Sequence, residues 1–304
     1  MTTALEARLA QHVVALPGEI GERHVRRPAA LRAAQAFIEE AFASFGYTVA
    51  RQSYVAEGVE SSNLEVVVPG CERGSEIVLV GAHYDTVPGS PGADDNASGV
   101  AALIELARGL REARPARSVR LVAFVNEERP FFYFGDMGSR VYARAARRCG
   151  DDIRVMVSLE MLGCYSDDVG SQSYPPPLGL VYPEAGNFIA FVSNLRSRRS
   201  LRELVDAFRR ASDFPAERLA SPAIVPGVSW SDQLSFWREG YPGVMVTDTA
   251  FYRYRHYHQP TDTPDRLDYR RMARVVDGLG RAIAALAGDC AWRGEADSAE
   301  NRPT

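Results

Sequence analysis

IVLVGAHYDTVPGSPGADDNASG, residues Ile77 to Gly99, decides how this chain is read. It opens as an apolar run, Ile77 to Val80, that suits a buried strand. It passes through His83, Tyr84 and Asp85 into a loop rich in Gly and Pro, then reaches Asp94, Asp95 and Asn96. Val100, Leu103, Ile104, Ala107 and Leu110 follow at helical spacing, with Asn96 or Ser98 near the helix start. A histidine and several carboxylates therefore sit past a strand and before a helix, where open α/β sheets build their sites. Gly, Pro and Asp also dominate solvated surface loops, so the stretch alone leaves both readings open.

Working outward, strands are expected at 48–54, 63–68, 119–125, 153–157, 188–192 and 243–247. Helices are expected at 28–45, 98–112, 137–147, 200–211, 232–239 and 269–287. Residues 1–27 read as a helix followed by a loop, with His24 in a packing or surface position. Strands alternate with helices, and several strands are apolar on both faces. That pattern predicts an α/β fold, a three-layer α/β/α sandwich around a mostly parallel mixed sheet. No linker or repeat divides the chain, so residues 1–288 read as one domain and 289–304 as a polar, fraying tail. The Gly-, Ser-, Pro- and Tyr-rich stretch 164–185 suits either a loop lining the site face or a plain surface connection.

Composition narrows the chemistry. All 35 basic residues are arginine, so no lysine Schiff base or phosphate-loop lysine is possible. The four cysteines, at 71, 149, 164 and 290, form no CxxC pair and indicate neither a zinc knuckle nor a disulfide framework. A net charge of −4 gives no sign of a nucleic-acid partner. The first residues lack the pattern of a signal peptide, and no apolar run is long enough for a membrane span. A cytoplasmic protein is expected.

His83, Asp95, Glu127, Glu128, Glu160 and His258 all fall at or just beyond the C-terminal ends of expected strands. Four acids converging on one sheet edge repel one another, and divalent metal resolves the repulsion. Two histidines and three carboxylates, one of them bridging, make a donor set that suits zinc. Of the neighbours Glu127 and Glu128, one can bind metal while the other stays free as a base.

HYD, GADDNASG, NEE, LEM and YHQPTDT, in this order, resemble the co-catalytic zinc exopeptidases that include bacterial leucyl aminopeptidases and glutamate carboxypeptidase II, a fold shared with glutaminyl cyclase. The resemblance covers about residues 76–270. It implies that Asp95 bridges two zinc ions, that His83 and Glu160 complete one site, and that Glu128 and His258 complete the other. It makes Glu127 the general base, with Asp85 orienting the His83 imidazole. It brings Tyr257 toward the oxyanion, has Asp262 support the His258 loop, and places a cis bond between Asp95 and Asn96.

The activity implied is aminopeptidase hydrolysis of a peptide or aminoacyl substrate. A single-zinc cyclase or a carboxypeptidase-type relative is the alternative, and a non-catalytic binding module is a more distant one. Glu160 stands where many aminopeptidases of the family carry Asp, which blurs the subclass. Residues 129–137 interrupt the usual path from the paired Glu to Gly138-Ser139; the aromatic run 131–134 there suits either a substrate pocket or packing. His256 reads as a neighbour of the site rather than a ligand. In Ser231-Asp232-Gln233 the family's histidine is replaced by Gln233, leaving Asp232 as a supporting acid.

Overall fold

The computed structural model describes residues 3–288 and Trp292. Helix α1 (Ala4–Val13) starts on a capping box in which Thr3 and Glu6 bond reciprocally. It continues as a wider helical turn over Val14–Ile20 that carries Pro17, where the sequence suggested a loop. Helix α2 (Pro28–Ser44) begins on its proline and stops before Gly46. Strands β1 (Ala50–Ala56) and β2 (Val59–Val68) form a hairpin. Glu57 and Gly58 turn it with both φ values positive, as a two-residue hairpin turn requires.

Strand β3 (Arg73–His83) leads to helix α3 (Gly99–Leu110), strand β4 (Arg117–Phe124), helix α4 (Gly138–Cys149) and strand β5 (Asp152–Glu160). Strand β6 (Ile189–Ser193), helix α5 (Arg198–Ala211), strand β7 (Ala216–Ala220), helix α6 (Gln233–Arg238), strand β8 (Gly243–Thr247) and helix α7 (Tyr269–Leu286) complete the chain. The eight strands make one mixed sheet in the order β1-β2-β4-β3-β5-β8-β6-β7. Its centre, β4-β3-β5-β8, is parallel, while the β1/β2, β2/β4 and β8/β6 pairs are antiparallel.

Both faces of β3 are covered, which explains its unbroken apolar run. Val78, Val80 and Ala82 pack with α1, α2, α3, α5 and α7, whereas Ile77 and Leu79 pack with α4 and α6. The chain leaves β3 for β4 on one side and then crosses back to β5 on the other. The C-terminal end of β3 is thus the point where the winding reverses and side chains from three strands can meet. Trp292 departs from the expected frayed tail: it donates to Asp277 and packs against the core. The remainder of 289–304 lies outside the described residues. Among the described residues no helix is long and apolar enough to cross a membrane.

Candidate metal centre

His83 ends β3, Glu127 and Glu128 follow β4, Glu160 ends β5, and His258 arrives on the loop after β8. Asp95 lies in the turn between β3 and α3, at a cis Asp95–Asn96 bond, as the resemblance implied. Asn126, Met161 and His258 take positive φ, so the backbone is strained where these segments turn toward one another. Gly92, at φ +66°, opens the Asp95 turn; a Cβ there would lie 2.3 Å from the Asp95 carbonyl.

These residues form two groups of donors that share one carboxylate. His83 Nε2 lies 3.3 Å from Asp95 Oδ1 and 3.4 Å from Glu160 Oε2. His258 Nε2 lies 3.0 Å from Asp95 Oδ2 and 3.1 Å from Glu128 Oε1. A tetrahedral ion with bonds of about 2.0–2.2 Å holds its donors about 3.3–3.6 Å apart, so the first group matches and the second is slightly contracted. His83 Nε2, His258 Nε2 and Asp95 Oδ1 are buried yet have no hydrogen-bond partner. Polar atoms orphaned in this way within each group are costly unless a cation satisfies them.

Electrostatics agree. Burial, then the charge of Asp95, pushes Glu128 up to about 7. Burial likewise raises Glu160, and it raises Glu127 well above the usual carboxylate range. Burial also opposes ionisation of Asp95, but the facing His258 and His83 outweigh it and hold that carboxyl low. A field that favours protons on both imidazoles favours any cation placed between these groups.

The supporting shell explains how the loops are held. Asp85 approaches the His83 ring, with its backbone oxygen at 3.2 Å and its carboxylate at 3.5 Å from Nδ1. The same carboxylate also braces the segment after β4, where Oδ1 and Oδ2 accept the backbone N–H groups of Glu127 and Glu128, each at 3.0 Å. Asp262 accepts from the backbone of Asp94 and Asp95 and from the Tyr254 hydroxyl, so it ties the His258 loop to the Asp95 turn. Tyr257 stacks on the His258 ring with centroids 3.8 Å apart. His256 turns away to Thr261, and Gln233 bonds the Val228 carbonyl. Asp232 is fully buried with neither carboxylate oxygen bonded, and burial raises it to about 7. Phe131 packs into the core, whereas Phe134 is 86% exposed, so the aromatic run divides between the two readings open for it.

Sequence reasoning missed three contributors. Ser231 donates to Glu160 Oε2 at 2.6 Å. Asn96 bonds the backbone of Leu159 and Met161 and so fixes the end of β5 against the Asp95 turn. Arg23 is fully buried and donates to the carbonyls of Gly21, Tyr84, Pro91 and Gly92, spanning the loop between His83 and Asp95. Ser231 stood inside a motif already singled out; Arg23 carried no motif at all.

Beside the donors lies an apolar pocket lined by Glu160 and Tyr257 together with Phe188, Val192, Leu219, Val228 and Met245. Gln172, Tyr174, Leu178 and Tyr182 also line it, so part of 164–185 does face the site.

The model of Peptidase family M28 matches residues 63–283. Protein YfbL of Escherichia coli strain K12 is 40% identical over 252 residues, 80% of this chain and 76% of that protein. The probable leucine aminopeptidase 1 of Trichophyton verrucosum strain HKI 0517 is 26% identical over 259 residues, 79% of this chain; the chain spans 60% of that relative's length. Among solved structures, BSAP, a zinc aminopeptidase from Bacillus subtilis, aligns at a TM-score of 0.72 and 15% identity, over 95% of this chain and 98% of that one, a likeness of fold. The family match runs from within β2 into α7 and includes all the donors of both groups, and on that ground the chain belongs to peptidase family M28.

Proposed function

We propose that the chain is a zinc-dependent exopeptidase, an aminopeptidase that removes N-terminal residues from peptides, with residues 1–288 as its catalytic domain. The observation that carries this reading is Asp95, whose two oxygens face two different imidazoles across two otherwise separate donor groups. His83, Asp95 and Glu160 would hold one zinc ion, and Asp95, Glu128 and His258 the other. When bound, zinc supplies the Lewis acidity that makes water nucleophilic near neutral pH and polarises a carbonyl. Glu127 belongs to neither group and is free to take a proton from the attacking water and give it to the leaving amine. Asp85 holds Glu127 and Glu128 by their backbone N–H groups, so base and ligand move as one unit. Tyr257, which stacks on His258 and lines the pocket, would donate its hydroxyl to the oxygen of the reacting carbonyl. The apolar pocket takes an aliphatic or aromatic N-terminal side chain.

Protein purified without chelator is expected to contain two zinc ions per chain and to release the anilide from leucyl anilide but not from its N-acetylated form. Chelation should abolish turnover and zinc should restore it. Cleavage of the blocked substrate would point away from an aminopeptidase. Cyclisation of N-terminal glutamine peptides faster than any hydrolysis, with one zinc per chain, would replace this reading by the acyltransferase.

Asp85→Asn tests the supporting shell. The amide must turn one N–H donor toward a backbone N–H that now faces an oxygen, leaving a donor–donor contact. Zinc affinity or turnover is expected to fall by about 10–100-fold, the usual effect of losing such a partner. Retention of wild-type zinc affinity and turnover would show that the bonds to Glu127 and Glu128 are dispensable.

A further inference from the structure

Trp230 stands between two cavities. On one side is the apolar pocket. On the other is a more open cavity lined by Arg26, Pro88, Arg129, Phe132, Tyr133 and Phe134. Among the described residues no acid lines it. Among them too, neither the Arg26 nor the Arg129 guanidinium has a hydrogen-bond or ion-pair partner. Arg26 precedes the matched span 63–283, and Arg129 opens the 129–137 interruption.

The banks of this cavity are anchored at their backbones. Arg26 follows Arg23, whose guanidinium ties the preceding turn to Tyr84, Pro91 and Gly92. Arg129 follows Glu128, whose N–H is held by Asp85 and whose carbonyl accepts the N–H groups of Phe131 and Phe132 at 2.9 and 3.1 Å. Arg238 secures the tip, donating to the Tyr133 carbonyl at 2.6 Å with its guanidinium 4.7 Å from the Tyr133 ring centroid. The aromatic side chains are thereby presented beside two unpaired positive charges, next to a centre crowded with buried acids.

We propose that this cavity binds the leaving end of a short peptide: Arg26 and Arg129 take its C-terminal carboxylate, and Phe132, Phe134 and Trp230 take its last side chain. The substrates are then di- and tripeptides with a free C-terminus rather than long chains. This rests on the aminopeptidase reading, because the N-terminal residue must occupy the apolar pocket across Trp230. Guanidinium pairs carboxylates in two-point fashion, and among the described residues no acid lining the cavity competes for these two.

The test compares Leu-Leu with its C-terminal amide in the zinc-loaded protein. The ratio of kcat/KM, dipeptide over amide, is expected to be about 10 or more in the wild type, as for a charge-assisted contact. It should drop toward one in the Arg26→Ala/Arg129→Ala double variant, with Arg129→Lys intermediate. Both substitutions are on exposed side chains, so folding is not at stake. Titration calorimetry of the same pair on zinc-loaded Glu127→Gln protein reads the preference without turnover. A ratio of one in the wild type by both methods, or a preference that survives the double variant, overturns the inference. A ratio of one accompanied by dimers that the double variant dissolves would assign the cavity to a second copy of this chain. A binding preference in a protein that hydrolyses no aminoacyl bond would instead sink the aminopeptidase reading and leave this subsite standing.

Discussion

Glu127→Gln is expected to keep both zinc ions and to lose about 10²–10⁴-fold in kcat, the usual contribution of a positioned base. Glu127 and Glu128 are sequence neighbours, both buried, and their backbone N–H groups are held by the same Asp85. Their side chains diverge. Glu128 Oε1 lies 3.1 Å from His258 Nε2 within a donor group, whereas Glu127 contributes to neither group. Gln in place of Glu127 preserves shape and cannot accept the proton. Glu128→Gln removes a charged donor, so zinc should leave one site on dialysis and added zinc should restore part of the rate. Metal content after dialysis, and turnover with and without zinc, separate the two. Zinc loss from Glu127→Gln together with a slow but metal-replete Glu128→Gln would reverse the two assignments. Full activity in both would remove the hydrolytic mechanism altogether.

What the sequence discloses here follows from what leaves a local signature. The β3 run, the α3 spacing and the placement of His83, Glu127, Glu128 and Glu160 at strand ends are read directly, because buried parallel strands are apolar and charges at their ends are conspicuous. Strand β7 is not, since Ala216–Ala220 is short, lies at the sheet edge and is mostly half-exposed. The start of β2 hides for the opposite reason: Ser61, Ser62 and Asn63 are polar yet buried, their partners supplied by Ser53, Gln52 and distant backbone such as Gly138. Residues 1–27 read as a helix and a loop, and the helical path continues through Pro17 to Ile20. Within the site, the double service of Asp85 could not be foreseen, because its partners are backbone N–H groups 42 and 43 residues away.

Arg23→Met is expected to cost about 2–6 kcal/mol, at about 1–3 for each of two buried acceptors left unmade, a large share of the 5–15 kcal/mol that holds a typical domain together. Arg23 is the one fully buried arginine among the described residues, and its partners are carbonyls rather than a carboxylate. Burial lowers its pKa to about 10, with Asp85, Asp262 and Asp95 opposing the shift, so it stays charged at neutral pH. Methionine fills similar space but leaves four carbonyls without these donors, those of Tyr84 and Gly92 buried, and it withdraws the positive charge behind the acidic centre. The loop it releases runs from Tyr84 to Gly92 and sets the distance between His83 and Asp95. The urea midpoint should therefore fall and zinc affinity should weaken in the same variant. Arg23→Lys keeps the charge but cannot reach four carbonyls with one ammonium, so it should recover zinc affinity more fully than stability. Full recovery of both by lysine would reduce the role of Arg23 to charge alone. A urea midpoint for Arg23→Met within error of wild type would mean that the loop between His83 and Asp95 holds its shape without the guanidinium.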